Sequence, residues 1–256
     1  MVMDPDVEAA FRLTCRLVLG RELKGLEGYR SWLCAGVRQS KSTRSAGESG
    51  AMLHYSPLSS FEKSASRMLP LDEALSLGRS SLGTEEVARL DVAHAASMLS
   101  KISLYHPGAA LGENFAVEKC SLYYASQHCY DGEYYSLAKY CAYCFWPRES
   151  ESVFGCDMAF SSKSCLRCFH SVGLTRCLEV GQSADCSDCL FCHNVEGCTE
   201  CMFCFNVKAK RYAIGNIEYP KDEYLRVKKL VLAEIASKLE KDKKLDLSIF
   251  NVGAKR

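Results

Sequence analysis

CSDCLFCHNVEG runs from Cys186 to Gly197, and CTECMFCFNVKA repeats its frame from Cys198 to Ala209. Working outward, the same frame holds far beyond these two copies. Cys120, Cys144, Cys156, Cys168, Cys192 and Cys204 are separated by multiples of 12. So are Cys129, Cys141, Cys165, Cys177, Cys189 and Cys201, and Cys186 stands 12 before Cys198. Fourteen of the 16 cysteines thus fall in three columns of one 12-residue frame, the columns three residues apart. A fixed short period in sequence is the mark of a stacked repeat architecture.

The segments between cysteines are too short and too rich in Gly and Ser for helical repeats. They read as short strands, as in CLFC and CMFCFNV, joined by tight corners. That pattern predicts a parallel β-helix, in which equivalent side chains stack rung over rung. A coil of 12 and a coil of 24 residues both fit the frame. Complete C-x-x-C pairs recur at Cys141/Cys144, Cys165/Cys168 and Cys189/Cys192, each 24 apart, as are Phe145 and Phe169. The half-rungs between them are imperfect, with Gly132, Val153 and Val180 in cysteine columns. This favours a 24-residue coil with two sides, and about four coils over residues 114–209 at roughly 4.8 Å each.

Around this ladder the pattern is helical. Residues 4–37 carry apolar positions at Phe11, Leu13, Leu17, Val18, Leu26, Trp32 and Leu33, with Gly20, Gly25 and Gly28 as breaks. Residues 38–50 are Ser-rich and poor in apolar side chains, which predicts a mobile loop. A short helix is expected at Leu71–Leu77. A longer one is expected from an N-cap at Thr84 through Ile102, stopped by Pro107-Gly108. Ile214–Tyr219 reads as one more strand. Pro220 then opens a helix with Leu225, Val231, Leu232, Ile235 and Leu239 on its apolar side, and the tail from Leu245 is expected to be extended. The expected class is α+β: a helical N-terminal region over 1–112, a Cys-ladder β-solenoid over 113–219, and a capping helix and tail over 220–256. Open solenoid ends recruit other strands unless covered, which gives the helical parts a capping task.

Composition bounds the rest. The chain has 256 residues, 48% hydrophobic and 25% charged, with 32 Lys plus Arg against 31 Asp plus Glu. That balance opposes a dedicated nucleic-acid binder, which carries a strongly basic domain. No run of 18 apolar residues provides a membrane span. Residues 1–10 hold three acids and no Lys or Arg, unlike an export signal, so a reducing cytoplasm is the expected compartment. There, thiols stay free or hold metal.

Three roles for the thiols compete. Cysteine is small and nearly apolar, and Val117, Val153 and Val180 share its columns, which points to packing. Cys141, Cys144, Cys165, Cys168, Cys189 and Cys192 have the paired spacing of four-thiolate zinc sites, and C-x-x-C-x-x-C is also iron–sulfur-like. Neighbouring rungs would further bring cysteines within range of disulfides. No P-loop, GxGxxG after a strand, HExxH or GxSxG occurs. His128, His170 and His193 lie beside the ladder and are expected to be satisfied or exposed. Asp131/Glu133 and Glu149/Glu151 are expected at solvated corners.

The stretch from Cys198 to Tyr224 resembles the end of a group of Cys-rich repeat proteins of archaea and candidate bacterial phyla. Their pattern is C-x-x-C-x-x-C followed by an end motif rich in Tyr, Asn and Lys. The matching residues are Cys198, Cys201, Cys204, Asn206, Lys210, Tyr212, Ile214, Asn216, Tyr219, Lys221, Glu223 and Tyr224. The resemblance spans about residues 114–240 and implies the solenoid and its following helix, with no activity. Many such proteins carry zinc-ribbon cysteines near the N-terminus; here only Cys15 and Cys34 stand there.

The expected function is a non-enzymatic scaffold or complex subunit, with a metal-binding protein as the alternative. Residues 114–209 carry seven basic and eleven acidic side chains, whereas 221–256 carry ten basic and six acidic. The basic C-terminal end is therefore the expected contact for a protein partner.

Overall fold

The computed structural model describes residues 3–56, 58 and 60–254. The chain divides into two compact units, one of residues 1–39 with 110–256 and the other of residues 40–109. Residues 3–39 therefore belong with the solenoid, and the expected single N-terminal region over 1–112 is split. Helix α1 (Pro5–Leu19) is capped by Asp4 and stopped by Gly20 in the left-handed conformation. A 3-10 turn (Leu26–Tyr29) leads into α2 (Arg30–Cys34).

In the second unit the Ser-rich stretch is ordered as one arm of a hairpin. Lys41–Arg44 pairs antiparallel with Met52–Tyr55, so backbone hydrogen bonds replace the apolar burial that the sequence lacks. Helix α3 (Leu71–Leu77) forms as expected. The long helix from Thr84 does not. It breaks into α4 (Thr84–Ala88), α5 (Ala95–Met98) and a 3-10 turn (Leu99–Lys101), none with a buried residue. Short helices without packing are marginal in water. In the first unit, α6 (Lys221–Asp242) follows Pro220 at its N-cap position, and the tail beyond it runs through turns rather than extended.

The solenoid has about nine coils of parallel strands. Its register is 12: Val117 pairs with Cys129, Cys129 with Cys141, Val153 with Cys165, and Cys165 with Cys177. The expected 24-residue coil is thus replaced by one of half that length. Each coil is a square of four tripeptide sides. The corner signal is in the backbone: every third residue from Ala125 to Met158, and again from Glu179 to Gly215, has positive φ. The N–H of many such residues reaches a carbonyl 13 residues back, as in Tyr143 to Tyr130 and Ser152 to Lys139, while Ala125 at the first corner reaches Leu111, 14 back. The residue two positions later donates to a carbonyl 11 ahead, as in Phe145 to Cys156 and Asp157 to Cys168. Most corner residues are not glycine, and each pays roughly 1–2 kcal/mol for that conformation. The continuous ladders and the buried lumen offset it.

Four columns point inward, one more than the cysteines reveal. The fourth runs Tyr123, Tyr135, Pro147, Ala159, Ser171, Ser183, Val195 and Val207, and between the half-buried Tyr123 and Val207 all of its residues are buried. Lumen volume is balanced within each rung. Tyr135 shares its rung with Gly132 and Ala138, and a Cβ on Gly132 would clash with the Tyr135 hydroxyl. Leu174 shares its rung with Ser171.

One outward column is apolar from Tyr130 to Met202: Tyr130, Ala142, Phe154, Leu166, Leu178, Leu190 and Met202. It packs against α1, with the Phe11 ring 5.3 Å from Phe154. The next column clamps the N-terminal segment and the tail. Asp131 accepts from Arg30 (2.9 Å), and Tyr143 donates to Glu27 (2.7 Å). Gly155 lies where a Cβ would come within 2.5 Å of the Leu33 carbonyl oxygen. Arg167 donates to the carbonyls of Trp32 and Ala35, and Glu179 accepts from Ser248 (2.9 Å) and Ile249 N (3.2 Å).

The volume balance predicts that Gly132→Ala overpacks its rung, lowering stability by about 1–3 kcal/mol. Adding Tyr135→Val should recover part of that loss. Urea denaturation of both variants measures it, and equal midpoints for the single and double variants would contradict the balance.

Candidate functional site

The thiol-lined lumen is the densest chemistry in the molecule. Its sulfurs lie two bonds from a backbone whose polar groups are buried with them. Most ladder thiols reach the carbonyl two residues before them, and many also reach the one nine residues after, whereas Cys165 reaches Thr175 O, ten residues after. Cys144 Sγ is 3.2 Å from Ala142 O and 3.3 Å from Val153 O. Cys186 is 3.0 Å from Ala184 O and 3.4 Å from Val195 O. Sulfur also accepts: Cys168 N donates to Cys156 Sγ at 3.1 Å. Serine performs the same task in the column of Cys186 and Cys198 and in the fourth column. Ser126 Oγ donates to Tyr124 O (2.9 Å) or Tyr135 O (3.2 Å), and Val195 N donates to Ser183 Oγ (3.3 Å). A small side chain with one weak donor and one acceptor fits here, because buried backbone groups need partners.

All 16 cysteines are free thiols. The six that the sequence offered for metal are placed in the ladder but not gathered. Cys141 and Cys165 sit two rungs apart with Val153 between them, and Cys165 and Cys189 have Cys177 between them. Two rungs are about 9.6 Å, whereas a tetrahedral zinc site holds its sulfurs about 3.8 Å apart. The 24-residue spacing that suggested a four-thiolate set therefore skips a rung. Cys186, Cys189 and Cys192 do lie directly against Cys198, Cys201 and Cys204. Yet among the described residues, the one group of three or more His, Cys, Asp or Glu with donor atoms all within 4.8 Å is Asp4, Asp6 and His128. Among the described residues the cysteines thus show no clear metal-site arrangement.

The Asp4–Asp6–His128 group has an internal purpose. His128 Nδ1 donates to Asp4 Oδ2 (2.7 Å), while Asp4 Oδ1 accepts from Asp6 N (2.9 Å). The His128 ring stacks on Tyr140 at 5.0 Å. The N-cap of α1 is thereby fastened to the solenoid. Sequence reading missed this group; the only local signal was an Asp before Pro5. His170 is exposed as expected, and Glu149 and Glu151 are at solvated corners. Asp131 and Glu133 are buried instead, because Asp131 meets Arg30 from a remote segment and Glu133 accepts from Ser121 (2.9 Å).

No family model, curated protein or solved structure matches this chain. Its chemistry is therefore read from its own geometry.

Burial pushes the Cys15 thiol up to about 12 and that of Cys34 up to about 11. It likewise raises Cys120, Cys129, Cys144, Cys156, Cys168 and Cys177. At the far end, Cys204 accepts from Cys192 and Cys201, which favours proton loss at Cys204 and holds protons on its donors. Thiols held neutral are poor nucleophiles, and Cys141, Cys186 and Cys204, which hydrogen bonds from neighbouring thiols draw down against their burial, are kept from solvent.

Two outcomes follow for the lumen. At neutral pH, a thiol reagent should modify the native protein at no more than Cys34 and Cys120, the two half-buried cysteines, and at all 16 once denatured. Mass spectrometry after timed alkylation counts them. Second, Cys165→Val should still melt cooperatively, since Val153 already occupies that column; its midpoint should fall by no more than about 10 °C. Cys165→Asp should not fold, because it buries an unpaired charge. A wild type that melts on adding chelator would contradict both the packing role and the free-thiol state.

Proposed function

We propose that this protein is a non-enzymatic β-solenoid scaffold that offers a rigid outer surface to a protein partner. The observation that carries this reading is the state of the lumen. Its four columns are filled, its thiols are hydrogen-bonded to the backbone, and its chemistry is spent on holding the coil. What remains for function is the outside.

The outside is stiffened by the clamps to α1, α2 and the tail. A surface so fixed loses little conformational entropy when a partner docks, which favours binding. Charge supports a contact at the C-terminal end. Lys221, Arg226, Lys229 and Lys241 of α6 are exposed and make no ion pair among the described residues. The solenoid itself carries more acids than bases. A basic end beside an acidic body selects an oppositely charged partner and orients it. Among the described residues no helix is long and apolar enough to cross a membrane.

The test is affinity purification of the full chain from its native source at low and at high salt. A partner retained at low salt and released at high salt is the expected outcome, because salt screens exposed charge pairs. Recovery of the bare chain under both conditions would overturn the scaffold reading.

A further inference from the structure

Helix α6 has more apolar surface than the solenoid covers. The sequence places Leu225, Val231, Leu232, Ile235 and Leu239 on a single side, but the structure divides them. Tyr224, Ile235, Ala236 and Leu239 are buried against the core. Leu225 is 39% exposed and Leu232 half-buried. Leu225, Lys229, Leu232, Ala233 and Ala236 recur at spacings of three and four, so they form a second stripe on the helix surface. This stripe and the C-terminal end of α1, with Leu19, Gly20 and Arg21, line an open groove of about 380 Å³. The ion pair Arg21–Glu240 (2.8 Å) ties α1 to α6 beside it.

The groove has a definite chemistry. Its floor is apolar and recessed, with Leu19 and Ala236 nearly inaccessible and Gly20 and Ala233 leaving room above them. Its charged lining is entirely cationic: Arg21, Lys228 and Lys229, with no acid among the lining residues. Arg21 and Lys228 are already paired with Glu240 and Glu200, whereas Lys229 is exposed and makes no ion pair among the described residues. A second copy would bring the same cations against these, and like charges repel. A bilayer is flat and cannot reach a recessed floor. A helix can, because side chains at i, i+3 and i+4 project as knobs into such a groove.

We propose that the groove between α1 and α6 is the docking site for an amphipathic helix of a partner protein, with acidic residues flanking its apolar stripe. The inference rests on the scaffold reading and names the place and chemistry of its contact.

Selection of a displayed library of amphipathic helical peptides on the full chain tests it. Expected winners carry net negative charge beside apolar residues at helical spacing. Their affinity should fall roughly tenfold or more with Ala233→Trp, which fills the groove, and with Lys229→Glu, which reverses its free cation. Both positions are exposed, and a melting curve checks that each variant folds. Lys163→Glu, on the solenoid, should leave binding unchanged. No enrichment, enrichment of basic helices, or winners indifferent to both groove variants would overturn the proposal. So would groove-dependent binding to phosphatidylserine vesicles, or groove-dependent self-association in sedimentation. A native partner held equally by wild type and both variants would overturn the groove while leaving the scaffold reading intact.

Discussion

Everything in this molecule depends on how little room a 12-residue coil leaves inside. Four tripeptide sides enclose a lumen that receives one side chain from each, at every rung. Backbone carbonyls and amides face the same space. A large apolar side chain would overfill it, and a purely apolar set would leave those groups without partners. Cysteine meets both demands, and serine meets them where the column shifts. Valine fills the space without the hydrogen bond, which is why it alternates with cysteine rather than replacing it. Tyr135 is admitted only because Gly132 and Ala138 give up volume in the same rung.

The same geometry decides what lies outside. With the interior fixed at every third position, the two residues between form outward columns that repeat each rung. One column is apolar and receives α1. Its neighbour presents Asp131, Tyr143, Arg167 and Glu179 in succession, and each meets a different part of the N-terminal segment or the tail. The Arg167–Glu179 pair is almost wholly buried, where an ion pair is costly to form and breaking one partner costs about 3–5 kcal/mol. It places α2 and the tail in one register on the coil. Once that side is covered, the outer stripe of α6 is left facing a groove instead of a core.

Some of this was legible in the residues. The columns of Cys129, Cys141, Cys165, Cys177, Cys189 and Cys201 announce stacked strands, since a stack turns a period into a ladder. Gly20 and Pro220 mark helix boundaries through their own backbone preferences. A second apolar period of 12, from Phe154 through Leu166, Leu178 and Leu190, was also present and could have named the face under α1. The corners were hidden. Tyr140, Trp146 and Phe203 have no preference for positive φ, so no local propensity predicts them there.

The sequence by itself determined the repeat, the identity of three lumen columns and the helices at either end, because these follow from spacing and local backbone preference. Only the tertiary structure decided the coil length, since a period of 12 is contained in one of 24 and hydrogen-bond register alone separates them. That choice moved Cys141 two rungs from Cys165 and dissolved the four-thiolate spacing. It also buried Asp131 by bringing Arg30 to it across 101 positions of chain. On α6 it parted Leu225 from Leu239. Both are apolar at helical spacing, and which of them is covered depends on where a remote surface happens to lie.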